Sequence, residues 1–90
     1  MATPLLSIVI PVWNNPRSIQ SITSSILSQS FCDFELILVD DGSTDNTLRS
    51  LKDIAADDDR VKVYTKSNGG PSNARNLGLE KGAGEYIQFF

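Results

Sequence analysis

Histidine is absent from this sequence, and cysteine, methionine and tryptophan each occur once. With Cys32 as the single thiol, the chain cannot form an internal disulfide, and it has little from which to assemble a zinc site. A reducing, cytoplasmic setting is expected. Basic residues are also scarce: eight Lys and Arg stand against eleven Asp and Glu, giving a formal charge of −3 and a pI near 4.6. That balance offers no positive field to a phosphodiester backbone, so nucleic acid is not an expected partner. There is no long apolar run, and Met1, Ala2, Thr3 and Pro4 carry no positive leader. Neither a signal peptide nor a membrane span is therefore expected in these residues, and any membrane contact would come through other segments.

What is present suits one modest core. Residues 7–12 read Ser-Ile-Val-Ile-Pro-Val, a β-branched run without alternation, as in a strand covered on both faces. Asn15 and Pro16 then supply a helix cap and a first-turn proline, and Ile19, Ile22, Ile26 and Leu27 recur at helical spacing. A second buried-type strand is predicted over residues 35–39, ending at the turn signal Asp40, Asp41, Gly42 and Ser43. Leu48, Leu51, Ile54 and Ala55 mark a second helix, closed by a solvated acidic turn at residues 57–59. A short strand over residues 61–64 follows. Pro71 opens a third helix with Ala74, Leu77 and the Lys81 stem along one side and Gly82 as its cap, and residues 85–90 form a fourth strand.

This order predicts an open, parallel α/β sheet with helices on both faces, right-handed crossovers and strand order 3-2-1-4. The winding direction then reverses between the first and fourth strands, and ligands bind at the carboxyl ends of strands beside such a point. The segments to inspect are residues 11–14, 40–44, 65–70 and whatever follows Phe90.

Asp40 and Asp41 are acceptors for ribose hydroxyls or a uracil imide N–H. They are equally suited to capping the next helix. Because side chains alternate along an extended chain, one of the pair is expected to face the crevice and the other the loop, with Asp41 the narrower choice. Gly69, Gly70 and Pro71 ahead of the third helix permit close approach of an anion to free N–H groups, or simply form a loop. Arg75 can pair with a phosphate, or with Asp40 or Asp41. Pro11, Val12, Trp13 and Asn14 replace the glycine-rich turn of dinucleotide sites, which disfavours nicotinamide and flavin dinucleotides. Trp13 is read as packing at the core rim, with a planar base as the alternative neighbour. Cys32 has no candidate base beside it in sequence, which argues against a nucleophilic role.

Three stretches in this order resemble family 2 glycosyltransferases of the GT-A fold: residues 7–14; residues 35–47, Glu-Leu-Ile-Leu-Val-Asp-Asp-Gly-Ser-Thr-Asp-Asn-Thr; and residues 69–78, Gly-Gly-Pro-Ser-Asn-Ala-Arg-Asn-Leu-Gly, with Gly-Glu-Tyr-Ile at 84–87. The resemblance covers essentially the whole chain but only the first, nucleotide-binding part of such an enzyme, so residues 1–90 are expected to be one incomplete domain. It implies a nucleotide-sugar donor, UDP-linked, whose nucleoside lies against Pro11, Val12, Asn14, Asp40 and Asp41. Gly69, Gly70, Arg75 and Asn76 would border the same pocket. Where the family commonly carries Glu or Asp after the Asn of its first motif, this chain has Asn15.

By the same resemblance, an Asp-x-Asp motif beyond the fourth strand holds Mg²⁺ or Mn²⁺, and a later carboxylate is the base. No metal ligand or catalytic residue is expected in these residues, and the chain alone is expected to be inactive. The implied complete reaction moves a sugar to an acceptor hydroxyl on a carbohydrate or a lipid carrier, with inversion. Competing readings are weaker in their spacing. A haloacid-dehalogenase phosphatase separates its two carboxylates by one residue, and a nucleotidyltransferase has a glycine- and Arg/Lys-rich loop that residues 11–16 lack. A non-catalytic module is the remaining alternative, self-associating through the aromatic edge of Tyr86, Ile87, Phe89 and Phe90.

Overall fold

The computed structural model describes residues 4–90, so the leader reading at Met1, Ala2 and Thr3 lies outside the described residues. Seven elements alternate: β1 (Leu6–Val12), α1 (Pro16–Leu27), β2 (Phe34–Asp41), α2 (Thr47–Asp57), β3 (Val61–Lys66), α3 (Pro71–Lys81) and β4 (Tyr86–Phe89). Every strand pair is parallel, and the sheet runs β3-β2-β1-β4, the order expected from the connections.

The unbroken apolar runs of β1 and β2 are explained by two cores, one on each face of the sheet. Ile8, Ile10, Leu36 and Leu38 pack with Ile19 and Ile26 of α1 and Leu51 of α2, whereas Val9, Ile37 and Val39 meet Ala74 of α3. α3 lies so close to β1 that a Cβ on Gly78 would run into the Val9 side chain. Proline is tolerated inside β1 for a positional reason. The carbonyls of Leu5 and Val9 accept from Tyr86 N–H (3.0 Å) and Phe90 N–H (2.9 Å), so odd-numbered β1 backbone faces β4. The β4 register stops opposite Val9, so Pro11, which has no N–H to give, lies just beyond the last β1–β4 register pair.

Local signals place most element ends. Asn15 caps α1 by accepting from Ser18 N–H at 3.4 Å, and Gly82 closes α3 by donating its N–H to the Gly78 carbonyl at 2.9 Å. The acidic turn is less solvated than expected, because Asp58 makes a two-pronged ion pair with Arg60 (3.0 and 2.8 Å). At the amino end of the sheet, Glu35 Oε2 accepts from Ser7 Oγ and Ala83 N–H, both at 2.6 Å, and pins the turn into β4.

Two strand ends at the site run further than expected. β2 does not stop at Val39 but continues through Asp40 and Asp41; β3 continues past Tyr64 through Thr65 and Lys66. The extensions pair with each other, Asp40 with Thr65 and Asp41 with Lys66, so ladder pairing overrides the low strand propensity of Asp. β4 is shorter than residues 85–90. Among the described residues, no helix is long and apolar enough to cross a membrane.

Candidate functional site

Because side chains alternate along β2, its two terminal carboxylates leave on opposite faces. Asp40, 1% exposed, accepts from Ser43 N–H at 3.3 Å and from the Thr65 hydroxyl at 3.0 Å. It holds the loop that follows. Asp41, 5% exposed, turns to the α3 face, where its Oδ1 accepts from Lys66 Nζ (2.9 Å) and Gly69 N–H (3.0 Å) and its Oδ2 from Gly70 N–H (3.0 Å). The Gly69 amide and the Lys66 ammonium hold this carboxyl below the ordinary carboxylate value, with burial opposing them and the Gly70 amide assisting.

These contacts correct three expectations. Neither aspartate caps α2, because that helix begins at Thr47 and its first N–H is taken by Asp45 at 2.9 Å. The N–H groups of Gly69 and Gly70 are not free for a ligand anion, because the carboxylate of Asp41 already occupies them. Nor does Arg75 pair with either aspartate; it is exposed and makes no ion pair among the described residues, while Lys66 takes the role at Asp41.

Asp41, Gly70, Trp13 and Asn68 line a cleft of about 290 Å³ at the carboxyl ends of β1, β2 and β3. Trp13 is 55% exposed and stands in this cleft instead of completing the core rim, a further departure from the sequence reading. Small-molecule sites range from about 300 to 1,000 Å³, so the cleft stands at the lower limit of that range. Pro11 and Val12 line a separate hollow of about 180 Å³ between β1 and α1 that has no charged side chain, so the chemistry resides in the first cleft.

Three loops are tied together around it. Asn14 takes a left-handed φ of 45°, donates its N–H to Ser43 Oγ (3.0 Å) and its Nδ2 to Thr44 Oγ1 (3.2 Å), and accepts from Thr44 N–H through Oδ1 (2.8 Å). Gly42, at φ 72°, brings the loop after β2 so near the loop after β3 that an added Cβ would stand 2.5 Å from Asn68 N. Pro11, Val12, Asn14, Asp41, Gly69 and Gly70 thus come to one end of the sheet, with Asp40 behind them. Arg75 and Asn76 are exposed on α3 and do not line the cleft.

Lys66 and Asn68 are site residues that the sequence reading did not single out. The signal for Lys66 lay in aligning β2 with β3, which sets it opposite Asp41. The arrangement offers an aromatic face and an ionised acceptor. Cys32 is exposed at the other end of the strands, its Sγ donating to the Ser30 carbonyl at 3.3 Å. No three His, Cys, Asp or Glu among the described residues stand close enough to hold a metal ion. Asp40 and Asp41 do not fit one together, since they leave β2 on opposite faces and Asp41 already holds the Lys66 ammonium.

Comparison with known proteins agrees with this geometry. The sequence profile described as "Glycosyl transferase family 2" matches residues 7–90. An uncharacterized glycosyltransferase of Haemophilus influenzae is 47% identical over 90 residues, covering 99% of this chain and 36% of that protein. A Campylobacter jejuni GalNAc(5)-diNAcBac-PP-undecaprenol beta-1,3-glucosyltransferase is 35% identical over 96% of this chain and 28% of its own length. The chain thus spans about a third of these relatives.

Among solved structures, S. aureus TarS 1–349 in complex with UDP superposes with a TM-score of 0.86 at 30% identity, over 96% of this chain and 26% of that one. The Pyrobaculum calidifontis mannosyltransferase PcManGT, in complex with GDP-Man and Mn²⁺, shares the fold with a TM-score of 0.85 at 22% identity, over 96% and 26% of the two chains. With the expected 3-2-1-4 sheet, the acidic end of β2 at the strand carboxyl ends and a profile match over nearly every residue, the chain belongs to glycosyl transferase family 2.

Proposed function

We propose that these ninety residues are the nucleoside-holding part of a glycosyltransferase whose donor is a UDP-linked sugar. The observation that carries this reading is the ionised Asp41 carboxylate, fixed at the end of β2 in a cleft it shares with the exposed Trp13 ring. A carboxylate accepts the imide N–H of uracil or a ribose hydroxyl, and an indole face stacks on a base. The relative crystallised with UDP, 30% identical to this chain, supports the same ligand class. Pro11 and Val12 lead β1 up to Trp13 at the cleft, Asn14 ties the loop beyond it to Ser43 and Thr44, and exposed Arg75 and Asn76 are assigned to the phosphate side.

In the complete protein, the sugar passes to an acceptor hydroxyl of a carbohydrate or lipid-linked substrate, with inversion. Mg²⁺ or Mn²⁺ belongs to the same proposal, held by residues outside this chain, as does the catalytic base. The isolated chain is therefore predicted to transfer no sugar, and to self-associate through β4, where Tyr86, Phe89 and Phe90 are exposed. Exposed Cys32 fits a reducing cytoplasmic setting, at the inner face of a membrane if the acceptor is lipid-linked.

Trp13, the single tryptophan, is a built-in reporter. Titration with UDP is expected to quench its emission saturably, and Asp41→Ala is expected to abolish the response while circular dichroism shows a retained fold. Binding that is unchanged in the variant removes Asp41 from the site, and a wild-type protein that gives no saturable response refutes the proposal.

A further inference from the structure

We propose that Lys66 is a positioning residue for the nucleotide: it fills Oδ1 of Asp41, keeps the carboxylate charged, and leaves Oδ2 as the oxygen that accepts from the ligand. The inference rests on the cleft being the nucleotide site and adds to it a residue that does not touch the ligand. Lys66 and Asp41 are register partners on the same face of the β2–β3 ladder. Nζ reaches Oδ1 at 2.9 Å and is anchored by the Ser67 carbonyl at 2.6 Å, while Gly69 N–H completes Oδ1 at 3.0 Å. Oδ2 receives only Gly70 N–H.

Each carboxylate oxygen offers about two acceptor directions, so Oδ1 is full and Oδ2 has one left. Lys66 does not line the cleft, whereas Asp41 and Gly70 do. A Cβ on Gly69 would stand 2.9 Å from Nζ, so the bare turn is what admits the ammonium. The neighbouring cations on that face are engaged elsewhere: Lys62 of β3 donates to the Asp59 carbonyl at 3.1 Å, and Lys81 of α3 stands with Nζ 5.5 Å from the Tyr64 ring. Pro11 of β1 and Trp13 beyond it are not titratable; Asp40 points to the opposite side of the sheet; and Arg75 of α3 is exposed without an ion pair among the described residues.

The test is calorimetric titration of UDP into the full chain from pH 3 to 8 for wild type, Lys66→Met, Lys66→Arg and Asp41→Asn. The ratio of each variant to wild type at each pH cancels the ionisation of the diphosphate itself. Lys66→Met is expected to bind about tenfold more weakly at pH 7, the scale of one charge-assisted hydrogen bond, with the deficit growing below pH 5 as the variant's Asp41 protonates ahead of the wild type's. Lys66→Arg is expected to recover most of the affinity and the wild-type pH profile. Should the methionine variant not fold, Lys66→Gln, which retains a donor without the charge, is read in the same way. A deficit that is flat with pH, or no recovery by arginine, reduces Lys66 to a structural residue and overturns the inference while the UDP reading stands. Undiminished UDP binding by folded Asp41→Asn overturns both.

Discussion

Asp41→Asn is expected to destabilise the fold by about 2–4 kcal/mol at neutral pH, a charge-assisted bond and an orphaned donor contributing roughly 1.5–3 and 1–3 kcal/mol, tempered by the partial exposure of Lys66. The amide has one acceptor oxygen where the carboxylate has two. Turned one way, its NH₂ confronts Gly70 N–H; turned the other, it confronts Lys66 and Gly69. Either way a donor faces a donor and the ammonium loses its counter-charge. For a domain of this size each kcal/mol moves the melting temperature by about 4–8 °C, so a loss on the order of 10–25 °C is expected by circular dichroism at pH 7.

The pH dependence carries a definite sign. The folded carboxyl sits below its unfolded value of about 3.9, so its stabilisation is complete above that value and is lost as pH falls toward the folded one. The gap between wild type and variant should therefore narrow as the pH falls from 5 to 3. A variant within about 0.5 kcal/mol of wild type at pH 7, or a gap that is unchanged at pH 3, would show that the three contacts do not hold the carboxylate as described.

Gly78→Ala sets a helix-propensity gain of about 1 kcal/mol against an overpacking cost of about 1–3 kcal/mol where the new methyl meets Val9, so a net loss of up to about 2 kcal/mol is expected in thermal melts. A stabilised variant would place α3 farther from β1. Asn14→Ala removes two side-chain hydrogen bonds at a left-handed φ and is expected to cost about 1–2 kcal/mol and to weaken the UDP response of Trp13; unaltered emission and melting would show that the loop tie is dispensable. Arg75→Gln touches no internal contact among the described residues, so stability should stay within about 0.5 kcal/mol while UDP affinity falls, more at low salt than at high. Calorimetry at two ionic strengths decides it, and equal affinities would remove Arg75 from the phosphate side.

The sheet was legible because its cause is local and repeated. Unbroken β-branched runs at residues 7–12 and 35–39 require cover on both faces, and the helical spacing between them supplies it, which leaves few topologies for a chain of four strands. Helix ends marked by Asn15 and Gly82 were legible for the same reason, since each cap satisfies an N–H or a carbonyl a few residues away. Carboxylates, by contrast, prefer caps and turns, and only long-range pairing with Thr65 and Lys66 draws Asp40 and Asp41 into β2. Nothing within five residues of Asp41 announces a partner 25 positions away. The exposed Trp13 was misread likewise, because large rings are usually buried and the sequence does not say that the Asn14 tie lies just beyond it.

That division has a consequence for how the cleft is built. Two adjacent carboxylates would repel if both faced one crevice, and the pleat of β2 prevents this by sending Asp40 to Ser43 and Thr65 and Asp41 to Lys66 and the Gly69–Gly70 amides. The amide donors of Gly69 and Gly70, just ahead of α3, are filled by the protein's own charge. On the proposed reading, a diphosphate entering this end of the sheet finds its counter-charge elsewhere, at a cation or at exposed side chains such as Arg75, while the acidic end of β2 reads the uncharged base and sugar.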